Sequence, residues 1–412
     1  MNQLTINKGL RPTSRYHKIH RRLVRPKTEG KSMNFELTRE QQMLQEMIRD
    51  FAEQEIKPYA REVDETSKMR YETFEKLGKL GLLGIPFPEK YGGAGGDTVS
   101  YCIAVEEIGK ACGGTGLSYA ANTSLGASPI YYFGTEEQKQ KWLVPMAKGD
   151  TLGAFGLTEP NAGSDAGGTK TKAEIDGDEW VINGQKCWIT NAGFARQVIV
   201  TALTHKRDDG RSIVSAIIVP TDAKGVTISC HYDKMGVRGS NTCEIILENV
   251  RVPRENLLGD EKKGFSQFLF TLDGGRISIA ALSVGIAQAA FEKTLQYAKE
   301  RVQFGQSISK FQAIQFKLAD MAMEIELARN MVFKAAALKD AGKPFGKEAA
   351  YAKLFASEAG FRVCNQAIQI HGGNGYMKEY DVERHLRDIK LMEIGEGTSE
   401  IQRLVIARHL GC

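Results

Sequence analysis

The spacing of apolar residues changes character twice along this chain of 412 residues. From Phe35 to about Gly149 the period is helical. Leu44, Met47, Ile48 and Phe51 fall at i, i+3, i+4 and i+7 behind a Thr38/Gln41 capping box. The same reading predicts helices over 72–83, from an Asp97 N-cap to Ala111, and from a Thr135/Gln138 capping box to Lys148, with YGGAGGD as a loop.

From about Asp150 the texture becomes that of strands. WVING, QVIVTAL, SIVSAIIV, GVTIS and CEIILENVRV are rich in β-branched residues, and Asp176-Gly177, Asn183-Gly184 and Asp209-Gly210 read as hairpin turns. The pattern predicts a small antiparallel β-barrel or sandwich. Beyond Gly264 helical periods return over 264–303, 311–341, 345–371 and 381–390, with a last helix from Ser399. Long helices with short links predict an antiparallel, four-helix-bundle domain. The fold class is thus α+β multidomain: a basic leader over 1–32, an N-terminal α domain over 33–152, a middle β domain over 153–264 and a C-terminal helical bundle over 265–412.

Composition trims the possibilities. At 42% hydrophobic and 25% charged residues the chain is an ordinary globular protein. The longest apolar run, ISIAALSVGIAQAAF, is broken by Ser and Gln and reads as a buried helix, so no membrane insertion is expected. The net charge is +5, but residues 1–32 alone contribute +8, which leaves −3 for the rest and argues against a nucleic-acid surface. That leader reads as disordered. It is Arg-rich and acid-poor, as a mitochondrial transit peptide would be, which would place the protein in the matrix. The reading favoured here is a native start at Met33 and a cytoplasmic protein. Seven cysteines without a CxxC suggest a reducing interior, with neither zinc nor disulfides.

The candidate chemistry lies in two stretches. GAFGLTEPNAGSDAGG, 153–168, combines backbone amides, small residues and the hydroxyls of Thr158 and Ser164, which suit the edge of a flat polar heterocycle. Taken alone it reads more simply as a surface turn cluster. IGEGTSEIQR, 394–403, sets Glu396 between two glycines before a helix that a Ser399/Gln402 capping box would open. Alone, Glu396 is an acid near the positive end of a helix. No complete GxGxxG, Walker loop or HExxH occurs, and the βαβ units of a dinucleotide fold are missing.

GLTEPNAGSDAGG resembles the first signature of the acyl-CoA dehydrogenase family, and QIHGGNGYMKEYDVERHLRD, 369–388, is similar to the second, with its spaced acids and Arg384. CWITN (187–191), LDGGR (272–276), ERVQFG (300–305) and EGTSEIQR (396–403) match further family segments in the same order, over essentially residues 33–412. The resemblance implies a helical, β, helical architecture around bound FAD. Phe155, Leu157 and Thr158 would line the flavin, Trp188, Ile189 and Thr190 would support its other side, and Thr398 and Glu400 would lie near it. Arg301, Phe304, Gln312, Gln369, Gly372 and Gly373 would meet the FAD of a neighbouring subunit in a homotetramer, a dimer of dimers. Ser164, Asp273, Arg276 and Gly397 would touch the acyl-CoA thioester, with Ser164 also at the cofactor.

The implied reaction removes a proton from Cα and a hydride from Cβ, with electrons passed on to electron-transferring flavoprotein. The resemblance assigns the base to Glu396. Water exclusion would raise its pKa and the nearby helix start would lower it. Some family members carry the base just before the arginine of LDGGR, which here is Gly275. Most have Tyr before the catalytic Glu, where this chain has Gly395, a change that widens the acyl pocket or loosens the loop. LDGGR and YGGAGGD resemble bacterial butyryl-type members, so a short straight or branched acyl group is expected. His371, without a partner, is a poor candidate base. An oxidase of similar fold and a non-catalytic CoA-binding protein are the alternatives.

Overall fold

The computed structural model describes residues 36–206 and 212–412; the leader and the Asp209-Gly210 turn lie outside them. By internal contacts the chain divides into a unit ending at Gln42 and one from Met43 to Cys412. In the first, the Thr38 N–H donates to Gln41 Oε1 at 3.0 Å and the Gln41 N–H to Thr38 Oγ1 at 3.2 Å, the capping box expected there. It opens helix α1 (Arg39–Glu55).

The helices that follow are α2 (Ala60–Thr66), α3 (Tyr71–Lys79), α4 (Thr98–Ala111), α5 (Gly113–Ala121), α6 (Ser128–Phe133), α7 (Glu136–Gln138) and α8 (Val144–Lys148). Their starts follow capping chemistry. Asp97 accepts from the Ser100 N–H at 2.7 Å, and Thr135 with Gln138 forms a complete box. The Gln138 amide also donates to the carbonyls of Glu255 and Leu257, which ties these helices to the end of the β region.

After the β region come α9 (Gly264–Glu300), α10 (Gln312–Asp340), α11 (Gly346–His371), α12 (Val382–Lys390) and α13 (Ser399–Leu410). By length and composition α9 could cross a membrane, but 72% of its apolar stretch is buried inside the fold. It is apolar all round because it packs against α4, α10 and α11 at once. Arg329 of α10 reaches the buried Glu106 of α4 at 2.8 Å, so the two helical regions share one core and one ion pair.

The β region is an eight-stranded sheet: β1 (Leu152–Gly156), β2 (Lys172–Asp176), β3 (Glu179–Thr190), β4 (Ala195–Lys206), β5 (Ser212–Pro220), β6 (Val226–Ser229), β7 (Thr242–Pro253) and β8 (Leu257–Leu258). The order is β6-β7-β3-β2-β4-β5-β8, with β1 added beside β4. Three expectations change. The sheet is mixed, because β1 and β2 run parallel to β4; their sequences LGAFG and KAEID lack the β-branched run that marks the others. Asn183-Gly184 is not a turn. It sits within β3 at a register shift against β7, where a Cβ on Gly184 would come within 2.7 Å of the Thr171 backbone. Finally, Cys230 and Cys243 form a disulfide. The antiparallel β6–β7 register, with Ser229 opposite Glu244, brings together two cysteines whose spacing carries no local motif.

Candidate active site

Glu396 lies in the short connection between α12 and α13. Its φ is +53°, a left-handed conformation that costs a non-glycine residue energy, and Gly397 follows at +97°. Three contacts hold this backbone. The Lys353 ammonium donates to the Gly397 carbonyl at 2.7 Å, and the buried Gln402 amide donates to the carbonyls of Gly397 at 2.9 Å and Glu396 at 3.3 Å. Gln402 therefore serves the loop rather than a capping box with Ser399. The N-cap is Thr398, whose hydroxyl accepts from the Ile401 N–H at 3.3 Å.

The Glu396 carboxyl lies over Gly275 of α9. A Cβ built at Gly275 would fall inside the envelope of Glu396 Oε2 and 2.9 Å from its Cδ. The two places where a base could stand thus use the same space, and a side chain at 275 would displace the Glu396 carboxyl from this seat. Oε2 is buried and has no hydrogen-bond partner among the described residues. Burial pushes the Glu396 carboxyl up to about 7, opposed by the positive charges of Lys353 and Arg276. Gly395 differs from its neighbours. A Cβ there would meet the Leu391 carbonyl oxygen at 3.5 Å, an ordinary contact, so close packing does not require glycine at 395.

One turn of α9 links Asp273 to Arg276, which form an ion pair beside this carboxyl. Arg276 is 4% exposed, and its Nε is buried without a partner. Ser164 stands exposed on the 153–168 loop and makes no hydrogen bond to Asp273, Arg276 or Gly397 among the described residues.

That loop is braced from within. Glu159 is buried and accepts from the Lys170 N–H at 2.6 Å, the Thr171 N–H at 3.0 Å, the Thr171 hydroxyl at 2.6 Å, the Thr169 hydroxyl and the Lys186 ammonium at 2.7 Å. Those donors hold the Glu159 carboxyl down at about 2 against its burial. Lys186 is fully buried, and it also donates to the Leu157 carbonyl at 3.1 Å. Beyond it the Cys187 N–H donates to the Thr158 carbonyl at 2.9 Å, which sets Trp188 beside Thr158. Trp188 is 60% exposed and held at φ +58° where the β3–β7 register slips. Ile189 packs in the sheet core and Thr190 is half-buried. Phe155, at the end of β1, stacks on Phe268 of α9 with centroids 5.6 Å apart. Gly275 is seven residues, or two turns and about 10 Å, further along that helix. A large indole left uncovered beside a hydroxyl and backbone amides fits the flat ring of a flavin.

The remaining expected residues gather at the far end of α9. Arg301, Phe304, Gln312, Gln369, Gly372 and Gly373 are all exposed. Phe304, 94% exposed at φ +53°, packs edge-on to Phe311 just before Gln312. Tyr297, one turn before Arg301, stacks on His371 at 4.2 Å, which brings the Gly372-Gly373 loop alongside. His371 is buried, its Nδ1 2.8 Å from the Ala367 carbonyl oxygen, and burial lowers its proton affinity; its role is in packing. Thr398 and Glu400 line an open cleft of about 360 Å³ with Phe361, Arg362 and Ile394.

Sequence reasoning missed three residues that hold the site, Glu159, Lys186 and Lys353, and gave a fourth, Gln402, to a capping box. One signal was present. Lys353 falls on the alanine face of α11, with Ala349, Ala350 and Ala356, where a lysine needs a reason.

A helical–β–helical fold with a lone carboxyl against a glycine of its longest helix, and an uncovered tryptophan beside a braced loop, defines a flavoprotein of the acyl-thioester type. Family profiles agree: the acyl-CoA dehydrogenase N-terminal domain matches residues 38–150, the middle domain 154–250 and the C-terminal domain 262–411. The chain belongs to the acyl-CoA dehydrogenase family. It is 74% identical over 378 residues to the probable acyl-CoA dehydrogenase YngJ of Bacillus subtilis (strain 168), covering 92% of this chain and 100% of that one. Butyryl-CoA dehydrogenase from Megasphaera elsdenii superposes with a TM-score of 0.90 at 47% identity, over 92% of this chain and 100% of its own. An acyl-CoA dehydrogenase from Bacillus anthracis complexed with FAD superposes with a TM-score of 0.86 at 37% identity, over 91% and 67% respectively.

Proposed function

We propose that this protein is a cytoplasmic, homotetrameric, FAD-dependent dehydrogenase that desaturates a short straight or branched acyl-CoA between Cα and Cβ. Glu396 takes the Cα proton. The observation that carries the reading is its carboxyl, buried, without a partner at Oε2 and seated over Gly275. A group with a pKa near 7 is half ionised at pH 7 and largely so above it, yet still basic enough to remove a weakly acidic proton.

When bound, FAD supplies the acceptor for the hydride from Cβ and for onward transfer to electron-transferring flavoprotein. Phe155, Leu157, Thr158, Trp188, Ile189 and Thr190 would hold it, with Thr398 and Glu400 nearby. The exposed cluster of Arg301, Phe304, Gln312, Gln369, Gly372 and Gly373 would complete the site of an adjoining subunit. Arg276, Asp273, Ser164 and Gly397 would orient the thioester. Beside Gly274 a small cavity is closed by Phe87, Tyr101, Tyr132 and Phe270, which supports a short acyl group.

The purified protein is expected to be yellow, and anaerobic butyryl-CoA is expected to bleach its flavin band. Fastest turnover on palmitoyl-CoA, in a thioester panel with an artificial electron acceptor, would refute the short-chain assignment. Peroxide released in step with turnover would mark an oxidase. Gly275→Ala is expected to push the carboxyl off its seat and lower kcat about 10²-fold while leaving flavin content intact. A fully active variant would show that the base does not work from that position.

A further inference from the structure

We propose that Lys353 is the positioning residue of the base: its buried ammonium fixes the Glu396–Gly397 backbone and sets the pH at which the carboxylate becomes competent. This rests on the reading of Glu396 given above. Lys353 is 0% exposed, and its hydrogen bond goes to the carbonyl of the residue directly after the base.

The charges around Glu396 single out this lysine. On α9, Arg276 is paired with Asp273. Before the loop, Glu393 is paired with Lys390 at 2.5 Å. On α11, Glu358 is paired with Arg403 of α13 at 2.8 Å. Each of those charges already has a counter-ion, although Arg276 still acts on the Glu396 carboxyl. Among the described residues Lys353 forms no salt bridge, and Glu396 is the carboxylate whose charge acts on it most strongly. Its positive charge is therefore directed at the base. It is also the larger of the two positive influences on the Glu396 carboxyl, ahead of Arg276.

A purely structural side chain here would not need charge. Lys353 is surrounded by alanines of its own helix, Ala349, Ala350, Ala352 and Ala356, all buried. Burying an ammonium without a full counter-ion is costly, and a Met of similar length would fill the same space more cheaply. Burial pulls Lys353 itself down to about 8, the Glu396 carboxylate opposing. The lysine thus carries its charge through the acid half of the range in which Glu396 ionises, and it holds the loop there.

Lys353→Met and Lys353→Gln remove the charge; the Gln variant keeps a donor for the Gly397 carbonyl. Both are expected to move the acid limb of kcat against pH upward by about 1–2 pH units, since losing a nearby opposite charge typically raises a carboxyl pKa by about 1–3 units. Gln402→Met is the comparator. It releases the Glu396 and Gly397 carbonyls without changing charge, so kcat should fall while the limb stays in place. An unmoved limb in both Lys353 variants would overturn the assignment. So would failure of both to fold and retain flavin, which would make Lys353 a structural residue. The wild-type profile separately tests the underlying reading: a protein whose flavin no acyl-CoA reduces at any pH refutes the role of Glu396, whatever Lys353 does.

Discussion

Glu396→Gln is expected to keep its flavin and bind acyl-CoA but to lose the bleaching of the flavin band, with kcat down by about 10²–10⁴-fold or more. The amide is isosteric with the carboxyl. Oε2 has no hydrogen-bond partner to lose, and the contacts that fix the loop go to backbone carbonyls from Lys353 and Gln402. The loss is therefore chemical rather than conformational. Stopped-flow absorbance would separate the two, because ligand binding perturbs the band without bleaching it. Undiminished reduction would move the base elsewhere.

The same substitution has a signature in stability. Burial raises the folded-state pKa of Glu396 from the ordinary carboxyl value to about 7. A group raised on folding contributes stability that is complete below its unfolded pKa, near 4.5, and lost as pH rises through about 7. Glutamine cannot ionise, so the variant escapes that loss. Its melting temperature should match the wild type near pH 4.5 and exceed it at pH 8. In activity the sign reverses. Wild-type kcat should fall about tenfold per pH unit well below 7, as the base becomes protonated.

How much of this was written in the chain differs from one element to the next. The long helices were legible because each capping residue and apolar period is local: Asp97, Thr135 and the 264–303 run all act within a few residues of themselves. Strand β2 was missed for want of a β-branched run, although KAEID pairs along its whole length with its neighbour β3 across the Asp176-Gly177 turn. Strand β1 was not legible, because LGAFG is a strand only by virtue of pairing with the distant β4. The Cys230–Cys243 pairing failed for the same reason, since it depends on the β6–β7 register. At the site, Glu396, Trp188 and the 153–168 loop stand in recognisable segments, whereas the residues that hold them do not. Glu159 and Lys186 are 27 positions apart, and Lys353 and Gly397 are 44 apart. Such pairs have no local period, and only the fold makes them neighbours. Even the glycines flanking the base divide on this ground. Gly397 is needed for its left-handed backbone, as a local reading suggests, while at Gly395 neither a left-handed φ nor a close contact calls for glycine.

Lys186→Met is expected to destabilise the protein by about 3–5 kcal/mol and to release flavin, although Lys186 lies outside every segment that would touch the ring. The reason is the carboxylate it leaves behind. Glu159 is buried among donors that keep it ionised, and without the ammonium it becomes a buried charge with no counter-ion. The brace then fails at two points, since Lys186 also holds the Leu157 carbonyl at the start of the loop. Acid should soften the defect: as Glu159 in the variant takes up a proton the unpaired charge disappears, so the gap from wild type should narrow towards pH 4. A double variant, Glu159→Gln with Lys186→Met, should recover much of the stability, because removing both charges is far less costly than orphaning one. Urea unfolding at pH 7.5 and pH 4, with flavin fluorescence to report release, measures all three. A loss below about 1 kcal/mol for the single variant would show that water or another group had replaced the lysine, and that the loop does not depend on this ion pair.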